Sequence, residues 1–162
     1  MNKESIQRFE LSEHLLQYDY NTHTLLCRSL EEGKNLWIRK IGDGGFILDM
    51  NEDSDKIFIS IESDEKSGQF LVLNKKDGTT SWFIPGKAYM FRLFLTSVYL
   101  IFVDGDNNFF LIKAETEDGT KIWHHPVNDG LSGYTINGEV VILKYIDGST
   151  ETLCSSTGEP LR

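Results

Sequence analysis

A glycine followed four residues later by a tryptophan recurs along this chain of 162 residues. The pattern occurs as GKNLW, GTTSW and GTKIW, which run over Gly33–Trp37, Gly78–Trp82 and Gly119–Trp123. A degenerate fourth copy, GEPLR, begins at Gly158 and has Arg162 in the tryptophan position. Successive glycines are 45, 41 and 39 residues apart, and the first three copies use every tryptophan of the chain. Because periods of roughly 20–50 residues are typical of solenoids and propellers, the sequence predicts a repeat protein.

Two strand-like segments precede each glycine. The first set is HLLQYDY, KIFISIE, SVYLIFVDG and EVVILKYIDG, and the second is HTLLCRS, QFLVLNKK, NFFLIKAET and STETLCSS. The connecting stretches KSGQ, DGDNN and DGST suit hairpin turns, since Gly, Asn and Asp tolerate positive φ. KIFISIE alternates at period 2, which predicts a half-buried strand, whereas VYLIFV is apolar throughout, which predicts a strand covered on both faces. A weakly apolar segment precedes these two strands, and the tryptophan segment follows them. Each repeat is therefore predicted to form four antiparallel strands.

Four-stranded units of about 40 residues are typical of β-propeller blades. We therefore predict an all-β, β-propeller-like fold made of four repeats of four antiparallel strands. The predicted single domain covers residues 1–162, with repeats at approximately 5–41, 42–85, 86–127 and 128–162. The sequence leaves three arrangements open: a closed four-blade ring, a half-propeller that pairs with a second copy in a homodimer, and an open arc capped by a partner.

The turn and its tryptophan resemble the docking repeat of quinoprotein-like (PQQ-like) β-propellers, whose consensus is roughly Asp-x-x-Thr-Gly-Lys-x-x-Trp. EDGTKIW, KDGTTSW and EEGKNLW carry this pattern, and SSTGE supplies the threonine and glycine of the fourth copy. The resemblance implies that each tryptophan buries its indole against the neighbouring blade. The glycines of the motif permit the turn before the tryptophan strand. The residues with a structural role in blade docking are therefore Gly33, Trp37, Gly78, Trp82, Gly119, Trp123 and Gly158. A ligand-stacking row of aromatic side chains is the less favoured interpretation.

The resemblance does not extend to the cofactor site of quinoprotein dehydrogenases. Their quinone lies in a much larger ring, usually with calcium and often with adjacent cysteines, and this chain has two distant cysteines, Cys27 and Cys154. We therefore expect no cofactor. The segment DGDNNFFLIKAE has EF-hand-like acidic spacing, but Phe109 stands where the calcium loop needs glycine, so we also predict no metal site.

The formal net charge of −9 argues against sequence-independent binding to DNA, RNA or an anionic membrane, because those ligands require a basic surface. A basic protein partner is compatible with this charge. In a propeller, the turns between second and third strands and the links between blades lie at one end of the strands. We predict partner-binding residues there: Asp43, Asp64, Glu65, Asp104, Asp106, Asp129 and Asp147. The alternative is a solvated rim, since aspartate is a favoured turn residue.

The catalytic motifs GxGxxG, GxxxxGK[ST], HExxH and GxSxG do not occur in the sequence. His124 and His125 are adjacent on a strand, so they point to opposite faces and cannot easily hold one metal. We predict no catalytic residue and a non-enzymatic module that presents an acidic loop face to a basic protein. One alternative is a cytoplasmic immunity or antitoxin-like protein that neutralises a basic toxin such as a nuclease. The least favoured alternative is a ligand-binding or quinoprotein-like enzyme.

The N-terminal segment MNKESIQRFELSEHLLQ lacks the apolar stretch of a secretory signal. The longest apolar run, Leu93–Val103, is too short to cross a bilayer as a helix. The two cysteines show no CxxC spacing, so neither a disulfide framework nor a structural zinc site is indicated. We therefore expect a cytoplasmic protein.

Overall fold

The computed structural model describes residues 5–42 and 45–162, which form fifteen β-strands in four antiparallel sheets. Sheets 1 and 2 contain β1 (Ile6–Glu10), β2 (His14–Asp19), β3 (Thr24–Ser29), β4 (Asn35–Lys40), β5 (Phe46–Glu52), β6 (Lys56–Glu62), β7 (Gly68–Asn74) and β8 (Thr80–Pro85). Sheets 3 and 4 contain β9 (Lys87–Phe94), β10 (Ser97–Val103), β11 (Phe109–Glu115), β12 (Lys121–Val127), β13 (Leu131–Ile136), β14 (Val140–Tyr145) and β15 (Thr150–Cys154).

Strand order within every sheet follows chain order, so each sheet is a meander of consecutive hairpins. The all-β, propeller-like prediction is confirmed at this level. Sheets 1 to 3 have four strands each, and sheet 4 has three. The expected fourth strand of the last repeat is reduced to a single bridge between Leu153 and Pro160. Within the described residues, no helix is long and apolar enough to cross a membrane.

The turn after the third strand has the same hydrogen bonds in all four repeats. In repeat 2, Gly78 N donates to Asn74 O at 2.8 Å, and Asn74 N donates to Thr79 O at 2.8 Å. Equivalent bonds occur at Ser29 and Gly33, Glu115 and Gly119, and Cys154 and Gly158. The φ angles of the four glycines lie between +67° and +76°, a left-handed conformation that side chains with a Cβ adopt at a cost. The recurring glycine is therefore explained by the turn.

The chain divides into two compact units, Met1–Ala88 (unit 1) and Tyr89–Arg162 (unit 2). The core of unit 1 lies between the inner faces of sheets 1 and 2. Sheet 1 contributes Leu16, Tyr18, Leu25 and Cys27, and sheet 2 contributes Ile47, Met50, Ile57, Ile59, Ile61, Leu71 and Leu73. These side chains alternate along their strands, as expected for pleated sheets that pack face to face.

Strand β6 corrects one prediction. The alternation in KIFISIE predicted a half-buried strand, but Ile57–Ile61 are all buried. The isoleucines face sheet 1, while Phe58 packs against Phe70 and Trp82, with ring centroids 6.3 Å away in each case. Ser60, the polar residue in the alternation, is buried because its hydroxyl donates to Ala88 O. A hydrogen-bonded serine therefore mimicked a solvent-facing position.

The core of unit 2 joins sheets 3 and 4. Tyr99, Ile101, Leu111, Trp123 and Val127 pack with Tyr134, Val141, Leu143 and Leu153. The Tyr134 hydroxyl donates to Tyr99 O at 2.8 Å, and the Tyr99 hydroxyl lies 2.8 Å from Ser155 Oγ. Val98 and Leu100 are also buried, on the other face of β10. The prediction of a strand covered on both faces is therefore confirmed for β10.

Candidate protein-interaction surfaces

Four predicted partner-binding carboxylates of unit 2 lie at one end of its strands. Asp104 and Asp106 belong to the β10–β11 turn, Asp129 belongs to the β12–β13 link, and Asp147 belongs to the β14–β15 turn. The registers explain this placement: Phe109 pairs with Val103 and Val127, and Leu131 pairs with Tyr145. The antiparallel hairpins therefore bring three acidic loops to the same strand ends.

Two of these loops form a groove together. Asp129 and Asp147 line a groove of about 340 Å³, and Ile146 N donates to Gly130 O at 2.8 Å across it. Residues 104–108, 128–130 and 146–149 include neither lysine nor arginine. The loops therefore concentrate negative charge without a basic residue of their own, which favours attraction of a cationic surface.

Two of the four carboxylates stabilise their own turns. Asp104 Oδ1 accepts hydrogen bonds from the backbone of Asp106 and Asn108, both at 2.9 Å, and Asp147 Oδ1 accepts from Ser149 N at 2.8 Å. The backbone hydrogen bond from Asn108 is the main cause that lowers the pKa of Asp104. The hydroxyl of Ser149 plays the same part in lowering the pKa of Asp147. Both side chains are turn caps as well as charges.

Asp106 and Asp129 differ from these caps. Both residues are exposed, and their carboxylates accept no hydrogen bond from a described residue. Their charges are therefore available to a partner without disturbing a turn. The four residues could not be distinguished beforehand, because a turn cap and a free carboxylate look the same in the sequence.

The acidic loop of unit 1 is less uniform in charge. Asp64 Oδ1 accepts from the backbone of Lys66 and Ser67, both at 2.8 Å, and the bond from Lys66 is the largest cause of its lowered pKa. Glu65 is exposed, but its carbonyl accepts from Lys87 Nζ at 3.2 Å, and Lys87 also pairs with Glu62 at 2.7 Å. Asp43 lies outside the described residues. The structure therefore places Asp64 and Glu65 beside basic groups.

Trp37 of β4 lies on the turn of the next sheet. A Cβ added to Gly78 would lie 2.5 Å from the Trp37 ring, and Trp37 Nε1 donates to Lys75 O at 2.9 Å. Arg39, two residues later, donates from Nη1 to Gly78 O at 2.9 Å. The indole therefore covers a glycine that has no room for a side chain.

Trp123 of β12 makes the same pair of contacts in unit 2. A Cβ on Gly158 would lie 2.5 Å from the Trp123 ring, and Trp123 Nε1 donates to Ser155 O at 2.9 Å. Lys113 Nζ donates to the same carbonyl at 2.8 Å. Within unit 1, Trp82 is 8% exposed and packs against Phe58 and Phe70. A docking role for the three tryptophans stays a prediction.

An ion pair beside the Trp37 contact was not predicted. Lys75, whose carbonyl receives the Trp37 indole, pairs through Nζ with Glu52 Oε2 at 2.8 Å, and Glu52 Oε1 accepts from Ser12 N at 2.7 Å. Burial alone would raise the pKa of Glu52, but the bonds from Lys75 and Ser12 and the charge of Lys75 lower it to about 2. In the sequence, the one sign of this ion pair was the location of Lys75, a basic residue three positions before the repeat glycine Gly78.

The histidine pair points to opposite faces. His125 Nε2 lies 3.0 Å from Glu151 Oε1, whose other oxygen accepts from the Tyr145 hydroxyl at 3.4 Å. His124 instead lies edge-on to Phe110, with centroids 5.8 Å apart. Among residues 5–42 and 45–162, no three His, Cys, Asp or Glu side chains are grouped as metal ligands. The His125 cluster links β12 to β14 and β15 and includes no serine or cysteine nucleophile.

Comparison with known proteins places the fold. No protein-family model and no curated protein sequence matches the chain. The solved structure of BamB from Moraxella catarrhalis matches 100% of this chain and 48% of its own length, with 15% identity and a TM-score of 0.67. The quinohemoprotein alcohol dehydrogenase ADHIIG from Pseudomonas putida HK5 matches 96% of this chain and 33% of its own, with 14% identity and a TM-score of 0.67.

A designed protein, Ika4, matches 95% of this chain and 93% of its own length, with 9% identity and a TM-score of 0.69. The chain thus spans about half or less of the two natural proteins and nearly all of the designed one. Identities this low show a common fold and leave activity open. Together with the four glycine turns, they show that the chain has the β-propeller blade fold of BamB and of the quinohemoprotein alcohol dehydrogenase.

Proposed function

We propose that this protein is a non-enzymatic, cytoplasmic protein-interaction module whose acidic loops in unit 2 bind a basic protein partner. One observation carries the proposal: Asp106 and Asp129 are exposed and unpaired within the described residues, beside the ionised turn caps Asp104 and Asp147. Antiparallel hairpins hold Asp104, Asp106 and Asp147, and the bond from Ile146 N to Gly130 O ties the link that carries Asp129 to the β14–β15 turn, so the loops are positioned before a partner arrives. Preorganised charge of one sign accelerates encounter with a complementary surface and disfavours partners of like charge.

A non-enzymatic role fits the chemistry of the described side chains. The His125–Glu151–Tyr145 cluster is the arrangement that most resembles an acid–base pair, yet it ties three strands together. The alcohol dehydrogenase among the similar structures is three times as long as the match, and the shared fold carries no catalytic residue across. Binding through loops on rigid strands requires no such residue.

A more specific form of the proposal is an immunity or antitoxin-like protein. It would mask a basic toxin such as a nuclease, whose nucleic-acid site must itself be positively charged. Support comes from the net charge of −9 on a chain of 162 residues. This form is distinguished from a general interaction module by inhibition of the toxin's activity at equimolar protein, which a module that binds elsewhere on its partner does not cause.

The test uses an oligolysine peptide as a defined basic probe and measures its dissociation constant at low and at high salt. Replacing Asp106 and Asp129 together by lysine should weaken binding about tenfold or more at low salt, since two attractive charges become repulsive. The matched control replaces Glu117 and Glu139, which are exposed at the other strand ends of unit 2, by lysine. It makes the same change in net charge and should weaken binding only about twofold to threefold.

Equal losses in the two double variants would show that only total charge matters, and they would overturn the proposal. Binding that does not weaken with salt would overturn it as well. Asp104 and Asp147 are left intact, because their loss would alter the turns and confuse the two effects.

A further inference from the structure

The Gly33 turn has the same geometry as the covered turns, but no indole lies on its glycine; Arg28 Nη2 donates to Gly33 O at 3.4 Å. Gly33 N donates to Ser29 O at 2.9 Å, and its φ is +67°, against +73° at Gly78 and +74° at Gly158. Gly78 and Gly158 are buried, each beneath an indole. Gly33 is exposed, and no described atom beyond its chain neighbours lies within 4 Å of the Cβ position. One of the repeated turns thus lacks the covering that two others have.

The hydrogen-bond acceptor of this turn is also unused. Trp37 and Trp123 donate to the carbonyl of the residue three positions before the glycine, Lys75 or Ser155. The equivalent residue in repeat 1 is Leu30, whose carbonyl accepts from no described residue. The Leu30 side chain is 41% exposed, whereas Ser155 is 4% exposed. Both parts of a tryptophan site, the bare glycine and the free carbonyl, are therefore present together.

A groove of about 420 Å³ runs beside this turn and is lined by Ser12, Glu13, His14, Ser29, Leu30 and Glu31. The groove is open beside the bare glycine and the free carbonyl, so a bound strand has room there.

The sheet face around the turn is more polar than its counterpart. Sheet 2 presents Ile57, Ile59, Ile61, Leu71 and Leu73 to sheet 1, all of them buried. By register and by distance from the repeat glycine, the equivalent positions of sheet 1 hold Leu15, Gln17, Asp19, Leu26 and Arg28, all of them half-buried. A mixed apolar and polar face is typical of a non-obligate interface, whereas the all-aliphatic face of sheet 2 is typical of a permanent one.

We propose that the Gly33 turn is a docking site for a tryptophan presented by an outer β-strand of a different protein chain. The indole lies on Gly33 and donates its N–H to the Leu30 carbonyl, as Trp37 and Trp123 do at their own turns. Both of those tryptophans are followed two residues later by a basic side chain that bonds the receiving sheet, Arg39 to Gly78 O and His125 to Glu151. The expected partner strand therefore carries a tryptophan with arginine, lysine or histidine two positions after it.

This site deepens the proposed function, because it assigns the module a second contact of defined chemistry. It rests on the proposal that the chain is an interaction module, but it uses unit 1 and does not involve the acidic loops. The half-polar face around it predicts reversible docking.

The experiment uses the full chain, isotope-labelled for NMR, and a synthetic peptide with the sequence KNLWIRKI, which is residues 34–41. We expect amide shifts centred on Leu30, Gly33 and Lys34, with a dissociation constant on the order of 1 mM, as suits one short strand. The same peptide with alanine in place of tryptophan keeps its charge and should bind at least about tenfold more weakly. A Gly33→Asn variant blocks the site while keeping the turn, since asparagine tolerates positive φ.

The matched control is Gly138→Asn, at an exposed glycine of the β13–β14 turn that has open space at its Cβ position and lies away from the acidic loops. Binding of the tryptophan peptide should be lost in Gly33→Asn and unchanged in Gly138→Asn. No shifts at this turn, or equal shifts with the alanine peptide, would overturn the proposal. Concentration-dependent shifts at Gly33 without peptide would assign the site to a second copy of this chain and would also overturn it as stated.

Repeating the titration with the Asp106→Lys, Asp129→Lys double variant separates the two proposals. Docking at Gly33 should persist in that variant, whether or not oligolysine binding is lost. A loss of peptide binding there would show that the peptide's charges and not its indole drive the contact, which contradicts the tryptophan site.

Discussion

The Trp37–Gly78 contact of unit 1 and the Trp123–Gly158 contact of unit 2 share a turn but differ in their surroundings. In both, the hydrogen bond from the indole Nε1 to the turn carbonyl oxygen is 2.9 Å long, and the glycine has no room for a Cβ. Trp123 is buried to 8% exposure, its acceptor carbonyl also binds Lys113, and Tyr99 packs edge-on at 6.1 Å. Trp37 is only half-buried. The repeat therefore sets the contact geometry, while neighbouring side chains set how much area the indole buries.

The strands that follow the two turns also differ. After Gly78 the chain forms β8 (Thr80–Pro85), but after Gly158 a single bridge at Pro160 is all that pairs with sheet 4. Trp123 nevertheless makes the full contact. The turn itself, and not the strand beyond it, is therefore sufficient to hold an indole, which is why the bare Gly33 turn is a complete receiving site.

The largest expected effect comes from removing the indoles. Trp123→Ala should lower the free energy of unfolding by about 3–5 kcal/mol, the range for a buried tryptophan in a core. Trp37→Ala should cost roughly half as much, because part of its ring already contacts water. Denaturant unfolding of both variants, monitored by circular dichroism, gives the two values.

Trp→Phe variants at the same positions serve as controls, since they keep an aromatic ring but lose the indole N–H. A cost for Trp37→Ala equal to or above that of Trp123→Ala would contradict the link between burial and docking energy. It would show that the hydrogen bond to the turn carbonyl dominates both contacts.

A smaller effect should separate the covered glycines from the open one. Gly158→Ala and Gly78→Ala add a methyl group 2.5 Å from an indole in a left-handed turn, so we expect losses of roughly 2–4 kcal/mol. Gly33→Ala meets the same backbone cost without the clash and should lose about 1–2 kcal/mol. Chemical denaturation of the three variants under one condition tests the difference.

Equal losses at all three glycines would assign the whole cost to the backbone conformation. The indole would then tilt away without a penalty, and the tight packing at Gly78 and Gly158 would have no energetic weight.

The repeat turns were predictable because each depends on a few local residues. The glycine at positive φ, the tryptophan four residues on and the acidic residue before the turn are all visible in the sequence, and the fold followed from their spacing. Strand β6 shows what such local residues do not reveal. Ser60 looked solvent-facing, but it is buried by a hydrogen bond to Ala88, a contact that no periodicity contains.

The candidate surface was predictable only in part, for a related reason. Aspartate in a turn was correctly assigned to the loop ends in unit 2, but Asp104 and Asp147 cap their turns while Asp106 and Asp129 do not. Both kinds of residue have the same sequence signature. The open Gly33 turn was hidden because its sequence motif matches the covered ones, and the difference lies in what packs on it.

The smallest predicted effect concerns acid, and it distinguishes the two tryptophan contacts. The carbonyl of Lys75 accepts the hydrogen bond from the Trp37 indole, and the side chain of Lys75 forms an ion pair with Glu52. The pKa of Glu52 is about 2, below its ordinary value of 4.5. A carboxyl with a lowered pKa stabilises the fold above its unfolded pKa, and this stabilisation disappears as the pH falls from about 4.5 to about 2. After allowance for solvent screening, the contribution is on the order of 1 kcal/mol.

Glu52→Gln should therefore reduce stability by about that amount near neutral pH and by progressively less on acidification, since the variant has no proton to gain there. Denaturant midpoints of the wild type and the variant at a series of pH values from about 6 to about 3 give the difference. In unit 2, the equivalent carbonyl, Ser155 O, accepts a hydrogen bond from Lys113 directly. No carboxylate takes part in that contact. A difference between wild type and Glu52→Gln that stays constant across the acid range would show that the side chain stabilises the Trp37 contact by hydrogen bonding alone. A difference that narrows with acid would make Trp37 the contact that responds to pH.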